Sequence, residues 1–230
     1  MALNPNATHY DTRLDMIVLI PRGGVIAEVG VFEATFSLQL LEVCRPSELV
    51  LIDCWPEGST SSGDVDGNNI RRYDGAELER TARQRMHGVG CARIVKADSN
   101  VLRTFPKNYF DAVYIDADHS YEGVMRDLQS AFGVVKDGGW IMGHDYEHNP
   151  AKSQTRWQFG VRRAVDIFCL AWGQEISAYG MDGCVSYAIQ LRKRGRLRSL
   201  RGHALTQLAA AIRLTRKLLR QMFGRQKVAT

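Results

Sequence analysis

Apolar residues in the first 190 positions fall in short runs that alternate between two periods. The stretch GVIAEVGVF from Gly24 is almost continuously apolar up to Gly30, as a buried strand ending at a turn is. Phe36, Leu40, Leu41 and Cys44 then recur at helical spacing. The same change of period repeats along the chain. SELVLIDCW is a second strand, closing on Asp53, and AELERTARQRMHG is a polar helix stopped by Gly88. CARIVKADS is a third strand ending at Asp98, and YFDAVYIDAD is a fourth. The helix after it sets Val124, Leu128, Phe132 and Val135 on one face. DGGWIMGHDY turns on Gly138 and Gly139 into a fifth strand, and FGVRRAVDIFCLAW is a further helix. EISAYGMDGCVSYAIQ reads as two strands joined by a tight Met-Asp-Gly turn.

Strands and helices alternating at these lengths predict an α/β domain with a mainly parallel sheet, the last strand pair closing antiparallel at one edge. Ligands of such sheets bind beyond the carboxyl ends of the strands. Here those ends carry Glu28 with Gly30, Asp53, Asp98, Asp116 with Asp118, and His144 with Asp145.

Two regions break the pattern. Residues 55–75 hold almost no apolar side chains, and a connection this long is expected to be a substrate lid or a solvated insertion. Residues 191–230 form a separate extension after a domain of residues 1–190. Leu197, Leu200, Ala204, Leu208, Ala211, Leu218 and Met222 are mostly three, four or seven apart among arginines, which predicts a basic amphipathic helix. The extension holds 12 of the 30 Lys and Arg residues and no Asp or Glu, so residues 1–190 carry 18 basic against 25 acidic residues. The net charge of +5 therefore describes the tail, and the domain itself is acidic. Packing on the domain or homodimerisation is the first expectation for this helix, and peripheral contact with an anionic membrane the second. No nucleic-acid motif and no interleaved aromatics accompany the charge, so no nucleic-acid partner is expected.

No apolar run approaches the roughly 18–20 residues of a membrane span, and the N-terminus lacks the pattern of a signal peptide. The five cysteines are scattered, without a CxxC pair, which fits a reducing, cytoplasmic setting better than a disulfide framework.

Gly30 ends the first strand directly before a helix, where a tight backbone can approach a ligand. A dinucleotide fold wants G-x-G-x-x-G and a phosphate cradle wants a Walker lysine. Neither is present, so a nicotinamide oxidoreductase is a weak reading. Asp53 stands where an acid accepts bonds from ribose hydroxyls, and it is equally placed to cap its strand. Asp98 either faces an adenine edge or caps the next helix beside Ser99.

The segments PRGGVIAEVGVFEATFS, LVLIDCW, FDAVYIDADHSYEGVMRDLQSAFGVVKDGGWIMGHDY and GVRRAVDIF together resemble class I S-adenosylmethionine-dependent methyltransferases. The likeness is strongest to the branch that includes metal-dependent sugar O-methyltransferases of macrolide biosynthesis, and it covers roughly residues 13–190. It implies a Rossmann-like, seven-stranded, mostly parallel sheet flanked by helices, with the antiparallel C-terminal strand pair and the basic C-terminal helix. By this resemblance Glu28 and Gly30 flank the methionine part of the cofactor, Asp53 binds the ribose, and Asp98 with Ser99 binds the adenine region. Asp116 belongs to the same cofactor-binding set. The resemblance also implies Asp116 and Asp145 as ligands of Mg²⁺ or Mn²⁺ and His119 as the general base. One departure is Ala34, where many relatives have glycine.

The residues support that chemistry on their own terms. In an extended strand Asp116 and Asp118 point to one side, and carboxylate oxygens suit Mg²⁺ or Mn²⁺. An alcohol ionises near the pKa of water, about 15.7, against about 6.5 for histidine. That gap is worth about 12 kcal/mol, too much for histidine alone, and a divalent ion on the hydroxyl lowers it. Asp118 is open between the site and a cap of the following helix. Glu57, Asp64 and Asp66 are candidates for a third metal ligand, and His144 faces either the core or the metal. Tyr146, His148 and Trp157 follow the same strand and are candidates to line the acceptor site.

The expected activity is transfer of a methyl group from S-adenosylmethionine to a hydroxyl of a sugar or another small polyhydroxylated natural product. The alternatives are a metal-independent methyltransferase with structural acids, and a non-catalytic binding protein on this fold held to a membrane or partner by its tail.

Overall fold

The computed structural model describes residues 4–56, 59–63, 70–148 and 160–193, with backbone alone for 59–63, 70–73 and 148. In chain order the elements are β1 (Thr8–Tyr10), α1 (Arg13–Met16), β2 (Val25–Val29), α2 (Thr35–Cys44), β3 (Glu48–Asp53), β4 (Ser59–Gly63), β5 (Ile70–Asp74) and α3 (Gly75–Arg85). There follow β6 (Ala92–Lys96), β7 (Phe110–Ile115), α4 (Tyr121–Val134), β8 (Val135–His148), α5 (Val161–Trp172), β9 (Ala178–Gly180) and β10 (Cys184–Gln190). Short 3₁₀ turns cover Ile17–Leu19 and Ser99–Thr104.

Eight strands form one sheet in the order β1-β9-β10-β8-β7-β2-β3-β6. All pairs from β8 to β6 are parallel, and β10 runs antiparallel to both β8 and β9. The parallel α/β architecture and the antiparallel terminal pair are those the apolar pattern predicts. The eighth strand is β1, three residues at the edge beside β9, too short to leave a period in the sequence. Two boundaries also differ from the pattern. Val135, expected on the helix face, begins β8, because α4 ends at Val134 and residue 135 is already extended. Part of the long polar connection is a ribbon, β4 paired antiparallel with β5.

Alternation along each strand divides the core between the two faces. Ala27, Val29, Val50, Ile52, Val113 and Ile115 meet α4 and α5 through Leu128, Ala131, Val165 and Phe168. Ile26, Leu49, Leu51, Ala112 and Tyr114 meet Phe36 and Leu40 of α2 and Leu78 and Ala82 of α3. Burying a side chain of this size is worth about 1.5–3 kcal/mol, so these two layers fix the sheet between its helices. Glu28 shares the parity of Ile26 and so faces α2, a fate its neighbours impose on a carboxylate.

The chain runs outward from β2 through β3 to β6, then crosses back to β7 and β8 on the other side of β2. The point where the direction reverses is where such sheets leave a crevice. Register brings the key ends level there: Val29 pairs with Ile52 and with Ile115, and Ile115 pairs with Gly143. Gly30, Asp53, Asp116 and His144 therefore leave the sheet side by side.

Candidate functional site

Beyond these strand ends lies a cavity of about 620 Å³. Its walls include Arg13, Glu28, Gly30, Phe32, Asp53, Asp98, Ser99, Asp116, Asp118, His119 and Asp127.

Gly30 shapes the floor. Its φ is +88°, and an added Cβ would stand 2.0 Å from the carbonyl oxygen of Asp116. Glycine is required there by conformation and by space alike. The loop after it is strained: Phe32 and Ala34 also have positive φ, at 54° and 62°. Ala34 is the N-cap of α2 in left-handed conformation, where a glycine would carry less strain. Asp53 holds the loop in place. Its Oδ2 accepts the N–H groups of Val31 and Phe32 at 2.8 and 2.9 Å, and its Oδ1 accepts that of Trp55 at 2.9 Å. Two bonds fill Oδ2, so one lone pair on Oδ1 is what Asp53 has left for a ribose hydroxyl.

Glu28 is buried and accepts the Ser37 hydroxyl at 2.5 Å. Burial pushes its pKa up to about 8, against the opposing hydrogen bond from Ser37. Asp98 caps the turn at Ser99–Thr104, accepting Asn100 N–H at 2.8 Å, and also lines the cavity. Ser99 is buried and donates to Asp127, a residue of α4 that no sequence motif marked.

The acids and histidines gather at the other end. Because β7 stops at Ile115, the strand alternation expected to align Asp116 with Asp118 ends before either residue. Asp118 accepts Ser120 N–H at 2.8 Å, and Ser120, not Asp118, caps α4 by accepting Gly123 N–H. Asp116 stays in the site. His119 Nε2 lies 2.7 Å from Asp145 Oδ2 and 3.5 Å from Asp116 Oδ1. His144 Nδ1 lies 3.2 Å from the other oxygen of Asp145. Asp145 has a φ of 56°, a conformation Asp tolerates better than most residues, and it aims the carboxylate between the two imidazoles. Asp145 and His144 do not line the cavity; His119 and Asp116 join them to it.

Burial opposes charge on His119, but Asp116 and Asp145 outweigh it and push its pKa up to about 10. Burial likewise disfavours ionised Asp145, yet His119 and His144 hold it well below the usual carboxylate range. Asp116, His144 and Asp145 offer ligand atoms within 4.8 Å of one another. Two carboxylates and an imidazole fit a divalent cation, and the imidazole tilts the set from Mg²⁺ toward borderline ions such as Mn²⁺. His144 is the third group in reach of such an ion, while Glu57, Asp64 and Asp66 lie outside the described side chains. Tyr146 does not face the site. It is buried, donates to Asp166 at 2.7 Å and packs on Tyr179 and Tyr187. The side chain of His148, all of Trp157 and the stretch beyond residue 193, where a basic helix was expected, lie outside the described residues.

Arg13 was missed by the sequence reading. A capping box of Thr12 and Asp15 starts its short helix, and Asp182 accepts its N–H at 3.3 Å. Its guanidinium sits 4.7 Å from the Phe36 ring centroid and 3.7 Å from Asp116. The signal was weak because Arg13 precedes the first recognisable strand.

Among the described residues no helix is long and apolar enough to cross a membrane. A search of curated proteins finds no match. Solved structures share the fold. Fibrillarin from Aeropyrum pernix, with natively bound S-adenosyl-L-methionine, is 11% identical with a TM-score of 0.53, over 74% of this chain and 67% of that one. A SAM-dependent methyltransferase from Aquifex aeolicus is 13% identical with a TM-score of 0.54, over 79% and 90%. The N-methyltransferase NodS from Bradyrhizobium japonicum is 14% identical with a TM-score of 0.54, over 78% and 93%. The methyltransferase-domain family model matches residues 27–146, the span from the strand carrying Glu28 to the one carrying Asp145, and the chain belongs to that family, the class I S-adenosylmethionine-dependent methyltransferases.

Proposed function

We propose that the protein transfers a methyl group from S-adenosylmethionine to a hydroxyl of a sugar or another small polyhydroxylated molecule, with a divalent cation at Asp116, His144 and Asp145. The observation that carries this reading is the convergence of those three donors with His119, where Asp116 and His119 reach the cavity wall and His144 and Asp145 stand behind them. When bound, S-adenosylmethionine supplies a methyl group on a positively charged sulfonium. Gly30 and the Asp53-braced loop would hold its centre and Asp98 with Ser99 its base. Arg13 would hold its carboxylate, being the cation of the wall nearest Glu28 and Asp116. The Asp116 carboxylate gives that end a negative potential that suits a cationic cofactor.

When bound, a divalent ion supplies a Lewis acid for the acceptor hydroxyl and offsets the carboxylate charge that holds the proton of His119. His119 then has a place for the hydroxyl proton, and the walls fix the oxygen toward the methyl, a positioning effect worth several kcal/mol. A metal-independent reading has one observation in its favour: His119 and Arg13 already stand against Asp145 and Asp116 as counter-charges. The tail would serve packing, dimerisation or membrane contact outside this chemistry. The experiment is transfer of labelled methyl from S-adenosylmethionine to a panel of sugars, glycosides and phenols, with Mg²⁺, with Mn²⁺ and with EDTA. Label on a hydroxylated acceptor that disappears in EDTA supports the proposal; transfer that survives EDTA selects the metal-independent reading, and no transfer to any acceptor counts against both.

A further inference from the structure

The cavity and its acids stand at the carboxyl ends of the strands. The opposite end of the sheet carries charge of the other sign. Arg22 lies in the turn that enters β2, Arg45 between α2 and β3, Lys107 before β7, and Lys136 near the start of β8. Arg192 and Lys193 follow β10 to the same end, where Leu191 pairs with Gly138 and Gly139 and Lys193 donates its N–H to Asp137 at 2.8 Å. Most acids here already have cations. Asp111 takes Lys136 at 2.8 Å, Glu48 takes Arg93 at 3.0 Å, and Glu175 lies 3.5 Å from Arg192. Glu42 is exposed one turn before Arg45 and has no such partner among the described residues. Arg22, Arg45 and Lys107 are exposed, and no ion pair among the described residues includes them.

The two most exposed large apolar side chains among the described residues lie at this end too. Val18 is 59% exposed, next to Ile17, whose carbonyl accepts the Cys44 thiol at the foot of α2. Leu170 is 80% exposed in the last turn of α5, and Gln174 just beyond accepts the N–H of Arg192 at 2.9 Å. Cations beside exposed apolar side chains are what a headgroup layer over acyl chains receives.

The described chain stops here, at Lys193. Residues 194–230 add ten Lys and Arg and no Asp or Glu, with the apolar spacing from Leu197 to Met222. A basic segment that leaves a basic surface is repelled from that surface, which disfavours packing beside its own exit. An anionic bilayer satisfies both parts of the pattern, taking the apolar stripe among its acyl chains and the cations at its headgroups.

We infer that the amino end of the sheet and residues 194–230 form one peripheral docking surface for an anionic phospholipid bilayer. The six residues of β7 set this surface about 20 Å from the strand ends that open on the cavity. That is more than a Debye length of about 8–10 Å, so the cavity faces water, outside the field of the bilayer. The inference does not depend on the methyl-transfer reading.

The test is co-sedimentation of the full chain with vesicles of phosphatidylcholine alone and of phosphatidylcholine with about 30% phosphatidylserine. Binding is expected on the anionic vesicles at about 0.1 M salt, with a large loss at about 0.5 M and on phosphatidylcholine alone. Each cation near such a surface is worth about fivefold, so Arg22→Gln, Arg45→Gln and Lys107→Gln combined, with the tail intact, should weaken binding by about 30-fold or more. Arg163→Gln, exposed in the first turn of α5 at the cavity end, should bind as the parent does. Thermal melts establish that each variant is folded; should the triple variant fail to fold, Leu170→Asp decides, with an expected loss of about tenfold. No binding of the parent, equal binding to both vesicles, or a folded triple variant that binds like the parent overturns the inference. So does a loss in Arg163→Gln as large as in the triple variant. A parent dimer in light scattering that the triple substitution dissociates, with no vesicle binding, assigns the face to a second copy and also overturns it.

Discussion

Replacing Glu28 by Gln isolates the electrostatic cost of the cofactor end of the cavity. Glu28 lies in the central strand, fully screened from water, with one hydrogen bond from Ser37. Burial raises its pKa from 4.5 to about 8. A group whose folded pKa lies above its unfolded value contributes stability that is fully present below the unfolded pKa and is lost as pH rises through the folded one. For Glu28 the loss begins near pH 4.5 and is complete just above pH 8. At about 1.4 kcal/mol per pH unit the whole window is worth roughly 4–5 kcal/mol, of which about 3 kcal/mol falls between pH 6 and pH 9. Gln keeps the shape and the hydrogen bond but carries no charge. Urea unfolding of the cofactor-free protein, followed by tryptophan fluorescence at pH 6 and pH 9, measures both. The stability of Glu28→Gln relative to the parent should rise by about 3 kcal/mol between the two pH values. Curves for parent and variant that run parallel, within about 0.5 kcal/mol across that range, would refute the reasoning.

Gly30→Ala should cost about 3 kcal/mol or more and abolish S-adenosylhomocysteine binding, since its Cβ would meet the Asp116 carbonyl at 2.0 Å in a positive-φ conformation; melting and calorimetry check both. Asp53→Ala should cost about 2–3 kcal/mol in urea unfolding, because the N–H groups of Val31, Phe32 and Trp55 lose their acceptor. Arg13→Ala should weaken S-adenosylhomocysteine about tenfold or more and leave methylthioadenosine, which lacks the carboxylate, unchanged in the same titration.

What the sequence made legible was what periodicity and strand ends record. The parallel sheet follows from alternating runs, and the residues expected around the cofactor, Glu28, Gly30, Asp53, Asp98, Ser99 and Asp116, do surround one cavity because parallel strands present their carboxyl ends on one side. Contacts decided by tertiary packing were not legible. Arg13 reaches the cavity from a one-turn helix docked against the β9–β10 turn, with no local pattern to announce it. Asp127 looked like one polar position on an amphipathic helix until Ser99 and the 3₁₀ turn closed over it. His144 and Asp145 are adjacent in sequence and would point apart in a regular strand, but the left-handed backbone at Asp145 brings both beside Asp116. Tyr146 shows the reverse error. It sits near the chemistry in sequence, and the same turn carries it into the core.

Binding of a divalent ion by Asp116, His144 and Asp145 can be tested before any acceptor is known. Electron paramagnetic resonance of added Mn²⁺, titrated against the full chain and against Asp145→Asn, counts bound ions directly. The account predicts one Mn²⁺ per parent chain and an affinity at least about 100-fold weaker in Asp145→Asn. No bound Mn²⁺ in the parent at millimolar metal, or equal binding by the variant, would contradict it.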